Sequence, residues 1–150
     1  MKNPIGTVIA IIAIFLLLFV TPNFYIGTIQ WAKAQSEALS YTRNIVDEVI
    51  DTRELTQDML DDYTLNMSST TEYYKFEITR KIKCVMPDPV NAGKTYSTYI
   101  VVDNINEYNQ GDKFIVDVEP VGVNSFQVLA ASLMGMPELT DGFRLEGRVR

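Results

Sequence analysis

Read as apolar and polar positions, the chain changes its period twice. From Ile5 to Val20 nearly every residue is apolar, and no charge falls between Lys2 and Lys33. That uncharged run exceeds the roughly 20 residues an α-helix needs to cross the hydrocarbon of a bilayer. It predicts a transmembrane helix. A secretory signal peptide is the alternative, because Lys2 gives a basic start and Ala32-Lys33-Ala34 has the form of a cleavage site before Gln35. The apolar run ends well before Ala34, which favours the anchor.

From Ile29 the period becomes helical. Ile29, Ala32, Ser36, Leu39, Thr42, Val46 and Val49 are predicted to share one face, with Lys33, Glu37, Arg43, Asp47 and Glu48 on the remainder. Pro22 lies between the two patterns, where it removes a helical hydrogen bond and favours a kink. Phe24, Tyr25 and Trp31 are of the types that collect at the membrane–water interface. This stem is expected to end between Asp51 and Leu55. Thr56 then caps a second short helix, with Asp58 in its first turn and Met59, Leu60, Tyr63 and Met67 on its apolar side. Ser68 to Thr71 stops it.

After Thr71 the period is two. Tyr74, Phe76, Ile78, Ile82, Cys84 and Met86 alternate with Lys75, Glu77, Thr79, Lys81 and Lys83, the signature of a long half-buried strand. The segment PDPVNAGK is loop chemistry. TYSTYIVVD reads as a second strand, NINEYNQGD as a turn, and KFIVDVEPV as a third strand with Phe114, Val116 and Val118 inward. Together they predict an antiparallel meander. Phe126, Leu129, Ala130 and Leu133 have helical spacing before Gly135 and Pro137, and DGFRLEGRVR alternates again as a fourth strand. The predicted fold class is α+β: a helical stem, a small antiparallel sheet, and a short helix before the last strand. Its parts are an anchor over 1–26, an amphipathic stem with a short helix over 27–67, and a β-rich extracytoplasmic domain over 68–150.

Charge and composition narrow the function. The formal net charge is -6, the wrong sign for holding phosphates, so nucleic acid is not an expected partner. There is no histidine and one cysteine, Cys84, which removes the commonest zinc ligand, the commonest general base and any intramolecular disulfide. Asp58, Asp61 and Asp62 fit no calcium loop, and neither does DNINEYNQGD. Glu107 and Asp112 belong to no spaced set of acid, base and nucleophile. The expectation is a protein that is not an enzyme, with no cofactor, no metal and no small-molecule substrate. Lys2 and the α-amino group nearly balance Lys33 and Arg43 across the apolar run, and the adopted orientation keeps the N-terminus inside.

The N-terminal PIGTVIAIIAIFLLLFV, the strand GDKFIVDVEPV and the ending LAASLMGMPELTDGFRLEGRVR, in this order, carry a resemblance. In layout over most of its length the chain resembles the TadE/TadF-like pseudopilins of bacterial tight-adherence pilus systems, as found in Gram-positive bacteria. The resemblance implies a single-pass protein of the bacterial cytoplasmic membrane. Its partners would be membrane lipid and other pilin-like subunits or assembly-platform proteins. It also implies Gly6 and Thr7 as the processing point. Prepilins of that class carry a glutamate five residues after the small residue; here that position is Ile11. Gly6, Ala10 and Ala13, spaced by four and three, and Pro22 are the candidates for helix packing in an assembly. The alternative is a membrane-anchored accessory or binding protein of a conjugation or secretion apparatus that enters no filament.

Overall fold

The computed structural model describes residues 4–90, 93–122, 128, 132 and 142–150. Helix α1 (Pro4–Phe15) passes through one π-helical turn (Leu16–Val20) into α2 (Thr21–Thr52) without leaving helical geometry. Helix α3 (Gln57–Ser68) and strands β1 (Tyr74–Pro87), β2 (Thr95–Val102), β3 (Lys113–Pro120) and β4 (Phe143–Arg148) follow. The architecture is α+β, a long N-terminal helix leading into a four-stranded antiparallel sheet.

Helix α2 ends where the sequence suggests. Arg53 turns into the left-handed region with φ 63°, and its N–H donates to Val49 O at 2.9 Å. Thr56 then caps α3, its hydroxyl accepting from the Met59 N–H while the Thr56 N–H reaches Met59 Sδ. A sulfur at the third helical position does here what glutamate or glutamine does in the usual reciprocal cap.

The strand order is β2-β1-β3-β4, which corrects the expected meander, because β3 pairs with β1 and not with β2. The reason is the length of β1. Its first half, Tyr74 to Lys81, pairs with β3, and its second half, Arg80 to Pro87, pairs with β2 on the other edge. Arg80 sits at the overlap and fixes the crossing connection. It donates to Asn104 O at 3.1 Å at the start of that connection, and to Asp112 Oδ2 at 2.7 and 3.2 Å at its end.

One sheet face packs on the helices. The core joins Ala38, Val46 and Val49 of α2 and Tyr63 and Met67 of α3 to Phe114, Val116 and Val118 of β3. Thr42, fully buried, shares a 2.8 Å hydrogen bond with the Tyr63 hydroxyl. The buried stripe of α2 is Ala34, Ala38, Thr42, Ile45, Val46 and Val49, so the expected face holds at Thr42, Val46 and Val49 and departs before them. Ile29, Ala32 and Ser36 are exposed, and Leu39 is only half-buried. The first half of the expected face lies in the apolar N-terminal part of the helix, whereas among the described residues full burial of α2 begins at Ala34.

Gly147 sets how close the helix comes. A Cβ there would lie 2.3 Å from Ile50 Cδ1 and 2.7 Å from Val46 Cγ1. The opposite sheet face carries ion pairs around a buried Ile115: Lys75 with Glu119 at 2.7 Å, Arg144 with Asp117 at 3.0 Å, and Lys113 with Glu146. The short helix expected around Phe126 to Leu133 falls largely outside the described residues; within it, Ser132 Oγ donates to Val128 O at 2.8 Å.

Candidate functional site: the exposed apolar stem

Every residue from Pro4 to Phe19 is exposed. Ile5, Val8, Ile9, Ile11, Leu17 and Leu18 present between 56 and 68% of their surface. Burying a side chain of this kind is worth about 1.5–3 kcal/mol. A dozen of them left in water represent on the order of 20 kcal/mol of unrealised transfer free energy, far beyond what a small domain holds in reserve. An apolar surface of this extent calls for lipid or other helices around it.

The helix from Pro4 to Thr52 contains a window of mean hydropathy 2.7 with none of it buried, and it is long and apolar enough to cross a membrane. At about 1.5 Å per residue, the uncharged part from Pro4 to Ala32 measures roughly 44 Å, which spans the hydrocarbon and the headgroup layers. Polar side chains within it turn back on the helix. Asn23 Nδ2 donates to Phe19 O at 2.6 Å and Thr28 Oγ1 to Phe24 O at 2.8 Å, which satisfies the Thr28 hydroxyl hydrogen and one amide hydrogen of Asn23 within the helix.

Pro22 explains the π-helical turn. Its nitrogen has no hydrogen for Leu18 O, and its ring would crowd that carbonyl in a regular helix. Widening the preceding turn lets the Thr21 N–H reach back five residues to Leu16 O. The helix therefore continues through the proline, with the irregularity moved into Leu16–Val20.

At 3.6 residues per turn, Gly6, Ala10 and Ala13 fall within about 60° of arc on one side of α1. A Cβ on Gly6 would meet nothing within 4 Å, so no contact of the described residues requires a glycine there. The Gly6–Thr7 bond is exposed within the same helix. Ala34, at the alternative cleavage point, is fully buried in the middle of α2.

The chemistry-bearing residues lie elsewhere. Arg80 and Asp112 are buried together, and the Arg80 guanidinium lies 5.1 Å from the centroid of the Tyr108 ring. The Tyr108 hydroxyl is itself buried and, among the described residues, has no hydrogen-bond partner. Burial, with a smaller contribution from the Asp112 charge, pushes the Tyr108 phenol well above its ordinary value, only partly offset by Arg80. Asp58, Asp61 and Asp62 are all exposed, Asp61 accepting from Gln57 Nε2 at 2.8 Å. Glu107 bridges to Glu54 through the backbone, far from acting with Asp112, which is committed to Arg80. Cys84 is a free, half-buried thiol.

Sequence reasoning missed the Arg80–Asp112 pair and the role of Gly147. Arg80 had a signal, since it interrupts an otherwise apolar alternation from Tyr74 to Met86. Gly147 occupied an inward position without a side chain to bury there. The chain was compared with protein-family models, curated proteins and solved structures, and none matches.

Proposed function

We propose that the protein is a non-enzymatic, single-pass membrane pseudopilin or minor-pilin-like component of a bacterial pilus or secretion assembly. The observation that carries this reading is the helix exposed on all sides from Pro4 to Phe19 that runs on, unbroken, into the core of the sheet domain. Such a helix anchors the chain in lipid and offers the same surface for lateral packing, with Gly6, Ala10 and Ala13 allowing close approach. The sheet domain stands outside as the assembly surface. Ile11 in place of a glutamate leaves subunit register to packing alone, because no buried carboxylate is available to pair with a neighbouring N-terminal amine.

Ile11 is also the observation that favours a second reading, an anchored accessory protein that never polymerises. Two measurements separate them. Intact mass of the protein from native membranes gives the mature start: Thr7 supports the pseudopilin, Met1 the permanent anchor, and Gln35 overturns both. Ala10→Phe, on the exposed face of α1, abolishes subunit-to-subunit cross-linking in membranes if helices pack there. Unchanged cross-linking by Ala10→Phe removes that seam from the proposal.

A further inference from the structure

The two edges of the sheet are treated differently by the sequence. β4 carries Arg144, Glu146 and Arg148 along its six residues, the kind of charge that discourages another strand from adding. β2, TYSTYIVV, carries no charge and no proline. Tyr96, Ile100 and Val101 remain 45, 39 and 58% exposed on it, and among the described residues its outer edge pairs with nothing. Lys94 precedes this strand and Asp103 follows it.

The position of β2 makes the edge accessible. Going along α2 towards its C-terminus, Thr42 lies by Tyr63, which packs on Phe76; Val46 and Ile50 lie by Gly147; and Arg53 reaches Arg150. β1 therefore runs the same way as the stem. Gly147 is level with Phe114 and Arg80, so the arm from Lys81 to Pro87, with β2 beside it, continues about 20 Å towards the pole opposite the stem.

We infer that β2 is a homotypic pairing edge, and that its occupant is β2 of a second copy of this chain, antiparallel about a two-fold axis at Thr98. Residues that face each other across an antiparallel pair lie on the same side of the sheet, so only registers with an even sum of residue numbers are allowed. The register centred on Thr98 places Tyr96 opposite the second copy's Ile100, Thr98 opposite Thr98, and Ser97 opposite Tyr99. Aromatic with β-branched and threonine with threonine are among the favourable cross-strand pairs. The same register sets each Lys94 one residue position from the other copy's Asp103; the two side chains leave on opposite faces, so opposite charges meet across the backbone at the ends of a strand whose middle is neutral. It also extends the apolar side of the arm, Ile82, Cys84 and Met86 with Tyr96 and Ile100, into a continuous surface across both copies. The pairing is head to head, and the two stems leave in opposite directions. It is thus distinct from lateral packing of the stems and joins molecules that emerge from facing surfaces.

The test uses the full chain in mild detergent. In a Cys84→Ser background, Thr98→Cys places two thiols across the axis at a Cβ separation of about 5 Å, and oxidation gives a disulfide-linked dimer. Val101→Cys, opposite Thr95 of the second copy, gives little. Thr98→Lys sets like charges face to face and weakens dimerisation by sedimentation about tenfold. An equimolar mixture of Thr98→Lys and Thr98→Glu restores it, which neither a misfolded variant nor a stem-mediated dimer does. Equal cross-linking at positions 98 and 101, no cross-linking at 98, or no rescue by the mixture overturns the inference.

Discussion

Replacing Gly147 by alanine tests whether the stem helix is held at its observed height by a missing side chain. The new Cβ would stand 2.3 Å from Ile50 Cδ1, 2.7 Å from Val46 Cγ1 and 3.0 Å from Ile50 Cγ1. Carbon atoms in contact sit about 3.5–4.0 Å apart, so the helix must lift by more than an ångström or Ile50 must leave its rotamer. Over-packing a core by one methyl costs about 1–3 kcal/mol. Removing glycine from a strand recovers roughly 0.5–1 kcal/mol of unfolded-state entropy. The expected net loss is about 0.5–2 kcal/mol. Guanidinium unfolding of the full chain in mild detergent, followed by near-ultraviolet circular dichroism of the tyrosines, reads the shift in midpoint. Ile50→Val removes the atom of closest approach and alone costs about 0.5–1.5 kcal/mol. Because the two sites touch, the double variant should be more stable than the sum of the single losses allows. A neutral or stabilising Gly147→Ala, or strict additivity with Ile50→Val, refutes the reasoning.

Other predictions concern the domain's polar interior. Asp112→Asn or Arg80→Met each strands a buried polar partner and should cost about 3–5 kcal/mol, while the double replacement by Leu and Met should cost less than either, as read by thermal unfolding. Thr56→Ala removes the hydroxyl that accepts from Met59 and should cost about 1 kcal/mol, visible as loss of helical dichroism at lower denaturant. Stability should fall as pH rises from about 10 towards 12. Burial, with the Glu72 charge adding to it, pushes Tyr74 up to about 12, and burial also raises Tyr63. In this window the unfolded chain has already released phenolic protons that the folded chain still holds, so rising pH favours unfolding. Phenolate absorbance should appear late in the titration, and Tyr74→Phe should soften the alkaline loss.

Much of the fold could be read from local pattern because local pattern is what builds it. The end of α2, the Thr56 cap and the alternation of β1 and β3 each depend on residues within one or two turns of each other. The strand order could not be read that way. That β3 takes the far edge of β1 and not the side of β2 follows from a β1 long enough to pair twice, with Arg80 tying Asn104 and Asp112 across the sheet, contacts between residues 24 and 32 positions apart. The stripe of α2 is legible at Thr42, Val46 and Val49 but not before them, since a helical period fixes spacing but not where along its length a face meets a partner. In the stem, the apolar run and the Gly6, Ala10 and Ala13 spacing are plain in sequence. The π-helical accommodation of Pro22 emerges only when the backbone around Leu16 is in view.

The unbroken helix from Pro4 to Thr52 leaves this chain without a linker between its apolar end and its sheet. A tethered domain on a flexible segment samples a hemisphere, and what its anchor does hardly matters to its orientation. Here the apolar helix is a lever. With about 1.5 Å of rise per residue the rod is roughly 70 Å long, and a change of about 20° in its tilt would sweep the far pole through roughly 25 Å. A torque applied at the apolar end of the helix therefore arrives at Gly147 and the strands beneath it as a displacement, and any pull on the domain loads the same rod.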